Sequence, residues 1–248
     1  MTTPVLCFVD GGLCRLTLAN PDRLNVLSLA TFQALDRHLS AVDWEQVGCV
    51  LLAGEGRSFC AGHDLAALAS GEETSRETEW YENRVIARLA ELPCPVVGRI
   101  QGHCYTGGLE LALACDLLVC ADDARFADTH ARFDLVPVWG LSQRLPRRVG
   151  AAKAKEMMFT GRSYSGREAL AMGLVDQCVP AAELDAAVDA LIRDILSASR
   201  RSLRFLKALL RESEGLPLGA GLALELHRSP GHGPEFAARL AEFRARRR

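Results

Sequence analysis

Apolar and polar residues follow two rhythms along the first two thirds of the chain, one typical of strands and one typical of helices. Five short, mainly apolar runs predict strands, two of which, Cys49–Ala53 and Val96–Ile100, we expect to be buried. These runs are Val5–Val9, Leu13–Ala19, Cys49–Ala53, Val96–Ile100 and Leu117–Cys120. The turn Asp10-Gly11-Gly12 joins the first two runs into a predicted hairpin.

Helical spacing of apolar residues separates these runs. Leu29, Phe32, Leu35 and Leu39 form one stripe, which predicts a helix over Leu29–Val42. The same reasoning predicts helices at Ser75–Leu92, Gly107–Cys115, Ala151–Thr160, Gly166–Met172, Ala182–Leu196, Leu203–Arg211, Leu218–Leu226 and Pro234–Arg246. Strands and helices alternate to about residue 180, and helices alone follow. This order predicts an α/β fold with largely parallel strands.

Composition narrows the class of partner. The chain has 248 residues, of which 49% are hydrophobic and 24% charged, and its formal net charge is −2. This balance is ordinary for a globular protein and gives no reason to expect nucleic acid or a membrane as a partner. We see neither a leader sequence nor an apolar stretch of membrane-spanning length, so we expect a cytoplasmic protein.

Nine cysteines are present, an odd number with no CxxC pair or other zinc spacing. Most of them stand among Val, Leu and Ala, so we interpret them as reduced, packed thiols and expect no metal site. Basic residues gather at the C-terminus: Arg239, Arg244, Arg246, Arg247 and Arg248. A solvated helix face is the favoured interpretation of this cluster, and contact with a phosphate-bearing ligand is the alternative.

The stretch Gly102–Asp116 carries the strongest chemical signal. A glycine turn precedes an apolar helix, whose first N–H groups have no acceptor within the helix and lie at the positive end of its dipole. Glycine lets a ligand oxygen approach these groups, an arrangement that suits an oxyanion. Glu110 follows Gly107 by three residues and so lies on a neighbouring part of the same helix face.

A second glycine element, Arg57–Leu65, follows the predicted strand Cys49–Ala53 and opens a short helix. The N–H of His63 is a candidate second donor for the same oxyanion. Asp64 is well placed to cap the short helix, which is the favoured interpretation over a direct role in ligand binding.

These elements resemble landmarks of the crotonase (enoyl-CoA hydratase/isomerase) superfamily, in the family's order. The matching segments are Asn20–Ser28, Phe59–Leu65, Gly102–Asp116, Gln143–Gly150, Gly161-Arg162 and Ala169–Asp176. The resemblance implies a spiral of ββα units with a helical C-terminal region, an acyl-CoA thioester as ligand, and trimers or hexamers formed as dimers of trimers. It implies no separate cofactor, since CoA is part of the substrate.

The resemblance also divides the chain. It implies a core with the active site over residues 1–190 and a helical region over residues 191–248 for oligomerisation and contact with CoA. Phe243 and the basic C-terminus are candidates for that contact.

By the same resemblance, His63 and Gly107 supply the oxyanion-binding N–H groups and Glu110 is the catalytic glutamate. A carboxylate among Leu and Ala should have a raised pKa, which is useful in proton exchange near neutral pH. A structural ion pair is the alternative interpretation of Glu110.

His130 stands where a hydratase of this family carries a second glutamate. It either exchanges protons, as imidazole can near neutral pH, or makes a structural hydrogen bond. Asp128 is a nearby substitute carboxylate.

Further positions concern the pocket. Asp134 and Val138 stand where many family members carry glycine, and they either narrow the pocket or face solvent. Trp139 either lines the pocket or packs in the core. Arg23 is a candidate for CoA contact or a surface arginine, and the Ala61–Asp64 backbone is where the family meets adenine.

The favoured function is hydration of a 2-enoyl-CoA, with Glu110 placing the water and His130 assisting proton transfer. Two alternatives remain open. One is a Δ3-Δ2-enoyl-CoA isomerase, which moves a proton without adding water. The other is a catalytically silent acyl-CoA-binding protein, which would explain the absent second glutamate, although an idle buried carboxylate is costly.

Overall fold

The computed structural model describes residues 3–70 and 75–245. The strands are β1 (Val5–Asp10), β2 (Leu13–Leu18), β3 (Cys49–Gly54), β4 (Val96–Ile100), β5 (His103–Tyr105), β6 (Leu117–Ala121), β7 (Arg125–Ala127), β8 (Tyr164–Ser165) and β9 (Gln177–Val179). One sheet has the order β1-β2-β3-β4-β6-β9, and a smaller one has the order β5-β7-β8. Only β1/β2 and β7/β8 pair antiparallel, which confirms the predicted α/β class with largely parallel strands.

The helices connect these strands and then continue alone. They are α1 (Leu29–Ala41), α2 (Leu65–Ser70), α3 (Arg76–Ala90), α4 (Gly107–Ala112), α5 (Leu141–Val149), α6 (Ala151–Thr160), α7 (Gly166–Ala171), α8 (Leu184–Ser197), α9 (Arg200–Ser213), α10 (Leu218–Arg228) and α11 (Phe236–Ala245). Short 3₁₀ turns lie at Pro21–Arg23, Trp44–Gln46, His130–Phe133 and Ala181–Glu183. None of the helices described is long and apolar enough to cross a membrane.

The predicted elements are present, with ends that differ by a few residues. The helix predicted over Gly107–Cys115 ends as α4 at Ala112, because its last turn tightens into i→i+3 hydrogen bonds from Ala114 and Cys115. The prediction for the last helix ended at Arg246, which lies outside the described residues together with Arg247 and Arg248.

Five elements were not predicted: β5, β7, β8, β9 and α5. The strands have only two or three residues each, too few to show a period. Helix α5 carries three arginines and an internal proline, Pro146, which hide its buried pair Leu141 and Leu145. Two successive ββα units, β4-β5-α4 and β6-β7-α5, are thus visible only in the structure.

The core lies between the six-stranded sheet and the helices packed on it. Helix α8 buries Leu184, Val188 and Ile192 against this core and spans the position between residues 190 and 191. Helices α9, α10 and α11 bury no side chain and expose several large apolar ones: Leu206, Leu210, Leu218, Leu222, Leu226, Phe236 and Phe243. Arg239 is engaged locally, with Glu235 and the Ser197 carbonyl.

Asn25 ties the loop before α1 to the loop after β3. It is buried in a left-handed backbone conformation with φ +55°. Its side-chain amide donates to the carbonyls of Glu55 (2.9 Å) and Ser58 (2.8 Å), and its Oδ1 accepts the N–H of Asn20 at 2.9 Å. These bonds place the second glycine element beside the turn that carries Arg23.

Asn25→Ala is expected to lower the free energy of unfolding by about 2–4 kcal/mol, because buried carbonyls and an amide lose their partners. Alanine also fits the left-handed backbone less well than asparagine does. Urea unfolding followed by circular dichroism measures the loss. Gln33→Ala, on the exposed face of α1, is the control and should change stability by no more than about 0.5 kcal/mol. Equal stability of the two variants would contradict this account of the loop.

Candidate active site

A cavity of about 670 Å³ opens beside the start of α4. Its walls bring together the following residues singled out from the sequence: Arg23, Ala61, His63, Asp64, Gly107, Glu110, His130, Asp134, Val138 and Trp139. Asp128 is not part of these walls and lies behind His130. Residues far apart in sequence thus surround one volume, as expected of a ligand site.

Two backbone segments meet at the floor of the cavity. Cys60 forms an isolated parallel bridge with Cys104, which fixes the loop before α2 against β5. A Cβ on Gly108 would lie 2.5 Å from the Cys60 carbonyl oxygen, and one on Gly107 would lie 3.3 Å from the His63 nitrogen. The backbones can approach this closely because Gly107 and Gly108 have no side chain. The N–H groups of His63 and Gly107 are thereby neighbours, an arrangement that suits an oxyanion.

Thr106 precedes α4 in a strained conformation, with φ +51° and ψ −111°. Its hydroxyl makes a 2.6 Å hydrogen bond with that of Thr129 and accepts the Thr129 N–H at 3.3 Å. Its own N–H donates to the Ala127 carbonyl. These bonds stabilise the strained residue and join the start of α4 to the segment that carries His130.

Glu110 is 1% exposed, on the first turn of α4. Its Oε1 accepts the N–H groups of Trp139 (2.9 Å) and Leu141 (3.1 Å), which hold the carboxylate in one orientation. Its Oε2 lies 3.7 Å from His130 Nε2. Burial raises the pKa of Glu110, although His130 and the two N–H donors partly oppose this shift. The raised pKa predicted from the sequence is confirmed.

His130 begins the 3₁₀ turn after β7 and is 8% exposed. Its Nδ1 lies 2.6 Å from Asp128 Oδ1, an oxygen that also accepts the His130 N–H at 3.1 Å. A carboxylate can only accept, so Nδ1 carries the proton in this bond and Nε2 faces Glu110. Asp128, His130 and Glu110 therefore form a buried row in which an imidazole lies between two carboxylates, hydrogen-bonded to Asp128 and 3.7 Å from Glu110.

Asp64 caps α2, as the sequence favours: its Oδ1 accepts the N–H groups of Ala66 (3.0 Å) and Ala67 (3.4 Å). The same carboxylate holds Arg23, with an Nη1–Oδ2 distance of 2.8 Å. The Arg23 side chain is 56% exposed and lies in the cavity wall. A positive group is thus fixed at this site without being buried.

Trp139 both lines the cavity and packs in the core, so the two interpretations open from the sequence hold together. Its ring lies edge-on to Phe32, with 4.8 Å between centroids, and tilted to His63 at 5.2 Å. Asp134 adopts the left-handed backbone that glycine favours, with φ +55°. Val138 is 39% exposed, and its carbonyl accepts a hydrogen bond from the Asn83 amide at 2.7 Å.

Sequence reasoning missed Glu82, Thr106 and Thr129. Helix α3 buries Glu82, Val85, Ile86 and Leu89, the i, i+3, i+4, i+7 positions of one face. A glutamate in an apolar stripe was the available signal. Thr106 gave no signal in the sequence, because its backbone strain follows from tertiary contacts.

Among the described residues, no group of three or more His, Cys, Asp or Glu could hold a metal ion, and the nine cysteines are free thiols.

Comparison with known proteins agrees with this geometry. The family described as enoyl-CoA hydratase/isomerase matches residues 9–233. A relative in Arabidopsis thaliana, named probable enoyl-CoA hydratase 1, peroxisomal, is 35% identical over 224 residues, which cover 89% of this chain and 83% of the relative.

Solved structures match over almost the full length. An enoyl-CoA hydratase from Bacillus anthracis superposes with a TM-score of 0.92 at 29% identity, covering 98% of this chain and 96% of the other. A Thermobifida fusca protein assigned as an enoyl-CoA hydratase, solved in complex with CoA, gives 0.84 at 26% identity, covering 98% and 95%. With its α/β fold, paired backbone segments and buried glutamate, the chain belongs to the enoyl-CoA hydratase/isomerase family and has the crotonase fold.

Proposed function

We propose that the protein hydrates a 2-enoyl-CoA thioester. The observation that carries this proposal is the position of Glu110 and His130, 3.7 Å apart in one wall of the cavity whose floor presents the N–H groups of His63 and Gly107. A thioester oxygen held by these N–H groups would place its conjugated double bond within the same cavity as two proton-exchanging groups.

The ligand class follows from the family and from the CoA complex of the Thermobifida fusca relative. Arg23, fixed by Asp64, offers a cation for the CoA phosphates, and the backbone of Ala61 to Asp64 lies beside it in the wall. CoA enters as part of the substrate, so the reaction requires no separate cofactor.

The oxyanion site lowers the barrier by accepting charge. As water adds to the β-carbon, the thioester oxygen gains enolate charge, and the two N–H groups stabilise it in place. Their positions are set by the fold before the substrate arrives. Loss of one such donor costs about 2.7–4 kcal/mol of barrier in comparable sites.

The buried row moves the protons. Glu110 takes a proton from the attacking water, and protonated His130 gives its Nε2 proton to the α-carbon. Asp128 accepts the Nδ1–H throughout and stabilises the charged imidazole. Transfer of the proton from Glu110 to His130 Nε2 then restores the starting state. One water is added, and neither residue gains or loses a proton over the cycle.

Assembly and location extend the proposal. The exposed apolar side chains of α9, α10 and α11 fit the trimer or hexamer that the resemblance implies. A cytoplasmic location also stays a prediction, and the Arabidopsis thaliana relative is named as peroxisomal.

The direct test is hydration of crotonyl-CoA, followed by loss of the conjugated thioester absorbance and by incorporation of oxygen from H₂¹⁸O. We expect turnover by the wild type and a fall in kcat of at least about 10²-fold in both Glu110→Gln and His130→Ala, since each removes acid–base catalysis. The variant Glu183→Gln, at an exposed position in the 3₁₀ turn before α8, is the control and should match the wild type.

Two outcomes would overturn hydration, and a third would overturn the role of Glu110. Conversion of 3-enoyl-CoA to 2-enoyl-CoA without oxygen incorporation would identify an isomerase. Binding of acyl-CoA without any turnover would identify a silent binding protein. Full activity of Glu110→Gln would remove Glu110 from the mechanism.

Asp128→Asn is expected to reduce kcat by about 10²–10⁴-fold with a small change in KM, because the imidazole loses the negative partner that supports its charged form. Steady-state kinetics over pH 5.5–9 measure both constants. Asp134→Asn is the control: it makes the same change at a residue that lines the cavity, and asparagine tolerates the left-handed backbone there. If Asp128→Asn stays within threefold of the wild type, Asp128 does not act through His130.

The raised pKa of Glu110 predicts a stability cost at neutral pH. Folding disfavours the ionised form of Glu110. The contribution of this residue to stability is therefore fully present below the ordinary glutamate pKa of 4.5, and it is lost as pH rises through the raised pKa of the folded protein. Glu110→Gln keeps an acceptor for Trp139 and Leu141 and removes the charge. It should therefore be more stable than the wild type at pH 8 and equally stable at pH 4.

Urea unfolding at pH 4 and pH 8 measures this difference. Glu168→Gln is a control of opposite sign, because hydrogen bonds from Ser165 lower the pKa of Glu168. Ionised Glu168 stabilises the fold above the ordinary glutamate pKa, and this stabilisation is lost as pH falls. Glu168→Gln should therefore be less stable than the wild type at pH 8. If Glu110→Gln is less stable than the wild type at pH 8, ionised Glu110 does not destabilise the folded protein.

A further inference from the structure

Glu82 is a buried carboxylate in the cavity wall that the proposed mechanism does not use. It lies on α3, is 1% exposed and lines the same cavity as Glu110. Within the described residues its Oε1 is shielded from solvent and has no hydrogen-bond partner. The imidazole Nε2 of His63 lies 3.7 Å from Oε1, beyond hydrogen-bonding distance.

Such a group is costly in an empty cavity. A buried carboxylate needs donors, and the cost falls when a ligand supplies them. The helix face around Glu82 otherwise buries Val85, Ile86 and Leu89, so an apolar residue would fit the stripe. A carboxylate at this position therefore gives the cavity a polar contact that packing alone does not require.

A second unsatisfied polar atom lies nearby. Trp139 Nε1 is buried and has no hydrogen-bond partner within the described residues. The His63 ring contacts both side chains, at 3.7 Å from the Glu82 carboxylate and at 5.2 Å between ring centroids from Trp139. Asn83 holds α3 to the loop of Trp139 through the Val138 carbonyl. Two residues of the cavity lining, both in contact with His63, thus carry a buried acceptor and a buried donor without a partner.

The location fixes which part of the ligand would meet this wall. The His63 backbone lies at the oxyanion site, and its imidazole extends from there to Glu82. A group in contact with Glu82 is therefore about one side chain away from the thioester. Because Arg23 and the backbone of Ala61 to Asp64 are the proposed contacts of the CoA part, this group belongs to the acyl part of the ligand.

We propose that Glu82 recognises a hydrogen-bond-donating group, a hydroxyl or a protonated amine, carried by the acyl chain of the substrate. A hydroxyl fits both atoms of the wall, since it donates to Glu82 and accepts from Trp139. An amine donates to Glu82 and adds charge attraction. The inference rests on the proposed function for the acyl-CoA ligand, and it adds that a plain alkyl chain is not the preferred one.

The test is calorimetric binding of saturated acyl-CoAs, which cannot be hydrated and so report on recognition alone. Butyryl-CoA and hexanoyl-CoA are compared with their terminal hydroxy and amino analogues. For at least one of the two chain lengths, the wild type should bind a polar analogue at least tenfold more tightly than the alkyl thioester of the same length. The reason is that a buried acceptor disfavours a ligand that leaves it without a hydrogen bond.

Two variants separate the sources of the preference. Glu82→Leu should reverse it, so that the alkyl thioester binds more tightly. Glu82→Gln keeps an acceptor, so it should retain preference for the hydroxy analogue and lose that for the amino one. Glu77→Gln, on the exposed face of α3, should behave as the wild type.

Two results would overturn the proposal. Equal affinities of alkyl and polar thioesters in the wild type, at both chain lengths, would show that Glu82 does not select the acyl chain. Equal losses for all thioesters in Glu82→Leu would show that it only supports His63. The proposed hydration fails separately, in the crotonyl-CoA assay, whereas failure of every thioester to bind would remove the acyl-CoA ligand from both proposals.

Discussion

The site depends on one close approach between two backbone segments, the loop before α2 and the start of α4. A Cβ on Gly108 would lie 2.5 Å from the Cys60 carbonyl oxygen, a distance that no side chain tolerates. The bridge between Cys60 and Cys104 sets the same approach from the strand side. Because both segments belong to successive units of the fold, the large sheet and the small sheet together fix the spacing of two N–H groups. The proposed oxyanion site thus depends on backbone packing rather than on any side chain.

Buried ionisable side chains lie beside the two backbone segments. Asp128, His130 and Glu110 lie in a row that alternates acceptor, imidazole and carboxylate. Two backbone N–H groups hold Glu110 from the loop of Trp139, yet burial still raises its pKa. The protein therefore keeps a carboxylate where folding would favour a neutral group. Strain at Thr106 is a second local cost, and its hydroxyl connects the helix start to the His130 segment.

Much of this could be predicted from the sequence, for physical reasons that differ between elements. Strands such as β3 are continuous apolar runs because both of their faces are buried, and alternation with helices predicts that the strands pair in parallel. Glycine elements and Glu110 were visible because backbone approach and an acid in an apolar helix leave local signatures. Strands of two or three residues leave no period. The Asp128–His130 bond was also out of reach, since its orientation depends on the 3₁₀ turn after β7.

His130 and Asp128 form a hydrogen-bonded pair in which the carboxylate orients the imidazole. A second glutamate at position 130 would place three buried carboxylates in a row, and like charges at this spacing suppress one another's ionisation. An imidazole between two carboxylates instead alternates the charges, and Asp128 fixes which nitrogen faces the cavity. Exchange of His130 alone for the family's glutamate would leave Asp128 as an uncompensated neighbour. His130 stands where the resemblance to the family places a glutamate, and Asp128 orients its imidazole through Nδ1.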